Sequence, residues 1–149
     1  MSVRGVGVDI VSVARVEQLL RRHDSRFLAR CFRPEELPAD AEGLPRVDFA
    51  AQVAGRWAVK EACLKALGCL EALDGPDMCF CPGGPGAIDG DVRGIPYRDI
   101  EVRRAAGGAP CVVLHGRAAA VFASGGGCRV LASLSHEREV AVGFVVIDG

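Results

Sequence analysis

The stretch GRWAVKEACLKALG, Gly55–Gly68, holds Lys60 and Lys65, the only two lysines in a chain of 149 residues whose other side-chain cations are sixteen arginines. Asp48 sits where it can cap a long helix running from about Phe49 to Leu67. Phe49, Val53 and Leu64 supply much of the apolar stripe of that helix. Ala50, Ala54 and Ala58 make a smooth row that leads, at steps of three and four, to Glu61 and Lys65. Small residues let another backbone come close. Glu61 is therefore expected where this helix packs tightly on a neighbour, with the first strand the candidate.

That strand is VRGVGVDIV, Val3–Val11, short, β-branched and alternating. Residues 12 to 33 turn helical, with Val13, Val16, Leu19 and Leu20 at helical spacing. Asp24 or Ser25 is placed to cap a second helix carrying Phe27 and Leu28. The region has six arginines against two acids, a balance of +4. In a continuous helix Arg15, Arg22 and Arg26 share one face. Taken alone, that face reads first as a solvated one.

RPEELPADAEGLPR reads as a loop or short turn before the long helix. Residues 68 to 98 are rich in Gly and Pro and show no period, so a long loop is expected there. Strands follow at Asp99–Arg104, Pro110–Gly116, Cys128–Glu137 and Val140–Ile147. RAAAVFASGG forms a short helix ended by glycines. Strand, helices, then mostly strands predict an α+β fold in one domain, 1–149, with an antiparallel sheet packed on a long helix.

A net charge of −1 argues against a general nucleic-acid or membrane surface. No apolar run approaches the length of about 20 residues that a membrane span needs. MSVRGVGVDIVSV lacks the secretory pattern, so the chain is read as cytoplasmic. Seven cysteines show no disulfide spacing. Cys31 and Cys63, in helical patterns, read as small buried hydrophobes, and the CFC at Cys79–Cys81 lacks a second ligand pair for a metal.

Four features carry chemistry together: Asp9 after glycines in a strand, the Lys60–Glu61–Lys65 cluster, Ser133–Leu134–Ser135–His136 at a strand end, and the basic first helix. Two carboxylates with flanking cations suit Mg²⁺ and a phosphate-bearing ligand, because Mg²⁺ takes one or two carboxylates and completes its shell with phosphate and water. Lysine acts there as a compact point charge. Each piece also has a plainer reading. Asp9 can pair with an arginine, Glu61 and Lys65 can be a solvated i,i+4 pair, and His136 can be a hydrogen-bonded surface histidine. Ser135 has no nucleophile-elbow glycines around it, which sets aside a serine hydrolase.

The combination resembles the holo-[acyl-carrier-protein] synthase family, the small 4′-phosphopantetheinyl transferases. Gly7-Val8-Asp9 with Arg15 matches its first motif. Gly55, Arg56, Trp57, Ala58, Lys60, Glu61, Ala62, Lys65 and Ala66 match its helix motif, and ASLSHEREVAVGFVV resembles its C-terminal motif. The resemblance implies a Mg²⁺-dependent transfer of 4′-phosphopantetheine from coenzyme A to a serine of an apo acyl carrier protein, of fatty-acid or polyketide type. It makes Asp9 and Glu61 metal ligands. Asp9, Glu61 and Lys65 become the catalytic set. Arg56, Lys60, Lys65, Ser135 and His136 become coenzyme A contacts, and Arg15, Arg22 and Arg26 meet the carrier protein. It further implies a homotrimer with sites between subunits.

Larger relatives carry a third carboxylate two residues past the aspartate; here that residue is Val11. The long loop after Gly68, Ala109 in GGAP and Ser12 depart from the family pattern. They bear on carrier choice and coenzyme A affinity. The competing reading is a catalytically impaired relative that binds coenzyme A or a carrier protein.

Overall fold

A computed structural model describes residues 2–37, 46–72 and 94–149. Five strands and three helices follow in the order β1 (Val3–Ser12), α1 (Val13–Cys31), α2 (Arg46–Ala72), β2 (Ile100–Arg104), β3 (Pro110–Leu114), α3 (Gly116–Ser124), β4 (Arg129–His136) and β5 (Val140–Asp148). The architecture is α+β with antiparallel pairing throughout these strands, as the order of patterns predicts. The strands divide into two groups rather than one sheet: β1-β5-β4, and a β2-β3 hairpin.

α2 lies on the three-stranded sheet at unusually close range. Gly7 of β1 faces Ala62, and Gly143 of β5 faces the backbone of Ala58 and Val59. A methyl group on Gly7 would stand 1.8 Å from the Ala62 carbonyl oxygen, so only hydrogen fits. Ala58, Ala62 and Ala66 are fully buried in this seam. The small row of the sequence thus does what small residues permit, with its working part extending from Ala58 to Ala66.

Among the described residues nothing covers the sheet's other face. Val6, Val8 and Ile10 of β1 point away from α2, with Ile10 at 66% exposure, and Phe144 and Leu131 join them at 42% and 49%. In register, Val8 lies beside Phe144 and Val6 beside Val146, which lies beside Leu131. Contiguous apolar surface of this kind marks an interaction face rather than a solvated one.

Several local expectations shift. α2 starts at Arg46, so Asp48 stands in its first turn and is not its cap. It runs on to Ala72, because Cys69-Leu70-Glu71-Ala72 continues the apolar pattern past Gly68 and buries Leu70. The expected loop at 68–98 is therefore helical at its start, and Tyr97–Asp99 forms a 3₁₀ turn near its end. Residues 73–93, including CFC, lie outside the described residues. The two helices expected between 12 and 33 are there, divided within α1 by non-helical backbone at His23, where φ is −142° and ψ 26°. Ser12 caps it by accepting from the Arg15 N–H at 3.3 Å.

Candidate active site

Asp9 and Glu61 come from the two elements that meet at the glycine–alanine seam. Asp9 follows Gly7 on the α2-facing side of β1, and Glu61 sits beside Ala62 on α2. Lys65, one helical turn beyond Glu61, does not pair with it. Its ammonium donates to Asp9 Oδ1 and to the Val8 carbonyl, both at 2.8 Å. The Lys65 side chain keeps 44% of its surface and Asp9 keeps 20%, so this pair is open to a ligand. Glu61 is half-buried and accepts from the Tyr97 hydroxyl. Burial, with help from Glu61, holds that phenol protonated well above the usual tyrosine range.

Lys60 is placed otherwise than expected. Its side chain has no exposed surface, and its ammonium sits 2.7 Å from Glu36 Oε1. It donates also to Glu36 Oε2 at 2.9 Å, to the Tyr97 carbonyl at 3.0 Å and to the Ile100 carbonyl. Three donors meet one carboxylate and two carbonyls, which leaves none for a phosphate. Burial pulls the Lys60 pKa down and the Glu36 carboxylate opposes it. Lys60 is thus an internal tie between α2, the 3₁₀ turn at Pro34–Glu36 and the start of β2. Glu36 completes the tie by accepting from the backbone N–H of Val102 at 2.7 Å and of Arg33 at 2.6 Å.

A cleft of about 640 Å³ opens between the first half of α2, the β2-β3 hairpin and the end of β4. Three of the expected ligand residues line it: Arg56, Ser135 and His136. Arg103 and Arg104 of the hairpin add two cations. Arg56 donates to the Gln52 carbonyl at 3.1 Å. Burial lowers its pKa, Glu36 opposing and Arg104 adding to the effect, yet a guanidinium stays charged. Arg103 is drawn partly aside by Glu101, whose buried carboxylate it and His115 both contact.

Asp9 and the cleft stand in one register row. Asp9 pairs with Gly143 of β5, and Gly143 pairs with Leu134 of β4, the residue before Ser135. Two strand spacings separate Asp9 from Leu134, about 10 Å. On the helix, Arg56 and Glu61 are five residues apart, an axial rise of about 7.5 Å. An extended ligand with phosphates can touch both groups at once.

Arg15, Arg22 and Arg26 are all exposed on α1. Arg15 lies over the Trp57 ring at 5.9 Å from its centroid, within cation–π range. The kink at His23 separates Arg26 from the other two, so the three do not follow one continuous helical face.

Reading the sequence missed Glu36, Tyr97, Arg103 and Arg104. Glu36 and Tyr97 lie in stretches without period, where only their proximity in the fold reveals a role. The alternating pair Arg103-Arg104 at the strand end carried a charge signal that was readable but not distinctive.

Comparison with known proteins points to one family. The sequence model of the 4′-phosphopantetheinyl transferase superfamily matches residues 5–128. The chain is 36% identical over 144 residues to the holo-[acyl-carrier-protein] synthase of Nitratidesulfovibrio vulgaris, covering 97% of each. It is 42% identical over 141 residues to the enzyme of the same name from Chloroflexus aggregans, covering 94% of this chain and 91% of that one. Among solved structures, the holo-[acyl-carrier-protein] synthase of Neisseria meningitidis aligns with a TM-score of 0.72 at 28% identity, covering 99% of this chain and 100% of that one. The Helicobacter pylori enzyme, solved in complex with coenzyme A, aligns at 0.68 and 26% identity, covering 96% and 99%.

Proposed function

This chain belongs to the 4′-phosphopantetheinyl transferase superfamily, and from that membership we propose that it transfers the 4′-phosphopantetheine group of coenzyme A to a serine of an apo acyl carrier protein. A bond forms between the serine oxygen and the phosphorus that bears the pantetheine arm. The bond from that phosphorus to the nucleotide half breaks, and adenosine 3′,5′-bisphosphate leaves. The observation that carries this reading is the Lys65–Asp9 pair at the α2–β1 seam, with Glu61 one helical turn from Lys65 on α2 and the cleft lined by Arg56, Ser135 and His136 in the register row of Asp9. All members of the proposed set are present, which speaks against the impaired relative.

Asp9 and Glu61 would hold Mg²⁺. The donor set fits: two hard carboxylates from facing elements, with the remaining positions left to phosphate and water oxygens. Bound there, the ion would stabilise charge on the oxygens around the reacting phosphorus. Lys65 orients Asp9 and offers its exposed side to a phosphate. The cationic cleft holds the nucleotide end of coenzyme A, Arg56 standing at its wall. Arg15, Arg22 and Arg26 offer an acidic carrier protein a steering surface. The exposed apolar side chains on the face of β1-β5-β4 turned away from α2 support self-assembly, the trimer being the form the family resemblance implies. No described helix is long and apolar enough to cross a membrane, and a cytoplasmic site of action suits substrates that are themselves soluble.

The direct test is intact mass of apo carrier proteins incubated with this protein, coenzyme A and Mg²⁺. A gain of one phosphopantetheine that a chelator abolishes is expected. No gain on any fatty-acid or polyketide carrier would overturn the reading.

A further inference from the structure

Tyr97 is the one side chain among the described residues that bonds the Glu61 carboxylate. It is held on every side. Its residue is 9% exposed. Its ring meets Trp57 edge-on, with centroids 6.4 Å apart and planes at 86°. Its backbone carbonyl accepts from Lys60 at 3.0 Å, and Lys60 is in turn locked onto the fully buried Glu36. The 3₁₀ turn that Tyr97 begins is closed by the Asp99 N–H donating to the Pro96 carbonyl at 2.9 Å. A phenol fixed this firmly gives its partner carboxylate a single resting place.

We propose that Tyr97 is a positioning residue for the transfer, its hydroxyl holding Glu61 in the orientation in which that carboxylate binds the metal, with the Lys60–Glu36 pair holding Tyr97. The inference rests on the reading of Glu61 as a metal ligand. Glu61 is on a helix with free rotation about its side-chain bonds, and the facing element contributes Asp9. Without the phenol, Glu61 samples several rotamers, and the ordering falls to the moment of metal binding. Partners one bond removed from a metal ligand characteristically set metal affinity in this way. Tyr97 needs no contact with either substrate to act.

Tyr97→Phe removes the hydroxyl and keeps the ring against Trp57, so the fold is retained. Two readouts separate positioning from support. The first is binding of Mn²⁺, standing in for Mg²⁺, followed by electron paramagnetic resonance with coenzyme A present and no carrier protein. The second is the Mg²⁺ dependence of transfer. Tyr97→Phe is expected to weaken Mn²⁺ binding about tenfold or more and to raise half-saturating Mg²⁺ by a similar factor. Its rate at saturating Mg²⁺ should approach that of the unaltered protein. Unchanged Mn²⁺ affinity and Mg²⁺ dependence in Tyr97→Phe, with Glu61→Gln losing Mn²⁺, would overturn the positioning role alone. Wild-type Mn²⁺ binding by Glu61→Gln would instead remove Glu61 from the metal, and the positioning role with it.

Discussion

Lys60 and Lys65 stand five residues apart on one helix and end in different media: the Lys60 ammonium is fully buried 2.7 Å from Glu36, and the Lys65 ammonium lies 2.8 Å from Asp9 with 44% of its side chain exposed. Five residues turn an α-helix by about 140°, so one lysine enters the core side and the other reaches the open seam with β1. The two residues look alike in sequence and do different work.

Lys60→Met should therefore destabilise the fold rather than merely slow transfer. Removing one partner of a buried pair leaves Glu36 without its counterion and the Ile100 carbonyl without the Lys60 donor, while the Tyr97 carbonyl keeps the Ile100 N–H. The loss is about 3–5 kcal/mol. Lys65→Met should cost under about 1 kcal/mol while sharply reducing transfer. Urea melts of the two variants, run beside the transfer assay, check the pair of expectations. A stable Lys60→Met would contradict the tie.

Arg15 stacks over Trp57, whose ring also meets Phe27 with centroids 4.9 Å apart. Its guanidinium is exposed and away from the cleft. Arg15→Glu should raise the KM for carrier protein at least tenfold, reversing one desolvated charge contact of order 1.4 kcal/mol or more. The KM for coenzyme A should stay nearly unchanged. Steady-state kinetics with each substrate varied decides it.

The apolar face of β1 and β5 predicts assembly. Ile10 and Phe144 are exposed at 66% and 42% and point away from α2. A double substitution, Ile10→Lys with Phe144→Lys, should yield a folded monomer from a larger species. Light scattering after size exclusion measures the mass, and circular dichroism checks the fold. A monomer before substitution would contradict the interface.

Burial raises the thiol of Cys31 to about 11 and that of Cys63 to about 12. At pH 8 the thiolate fractions are about 10⁻³ and 10⁻⁴. Both groups lose protons less readily when folded, so reactivity rises only on unfolding. Cys111 and Cys128 are exposed. Alkylation at pH 8 with peptide mapping should label Cys111 and Cys128 first, and Cys31 and Cys63 only in denaturant.

Much of this site was legible in the sequence because it rests on periodic elements. The glycine–aspartate strand and the alanine row of α2 are mutually explanatory: small residues on both sides bring β1 against α2, so that Lys65 reaches Asp9. Ser135 and His136 end a strand whose alternation is clear, and they reach the cleft as a strand end should. The illegible part depends on contacts far apart in the chain. Glu36 and Lys60 are separated by 24 residues, and Tyr97 and Glu61 by 36. Neither Glu36 nor Tyr97 lies in a periodic stretch, so no spacing announced that they would claim one lysine and steady one glutamate. The break at His23 was legible for a local reason, since Asp24 and Ser25 directly after it are residues that start helices.

Transfer by Asp9→Asn, a near-isosteric change that removes the charge at the Lys65 pair, decides whether Asp9 belongs to the reacting centre. Intact mass of the carrier protein is followed over time at ordinary Mg²⁺, with thermal melting as the control for folding. The expected result is a folded protein with transfer reduced at least a hundredfold. Transfer at the unaltered rate by a folded Asp9→Asn would contradict the site as assigned.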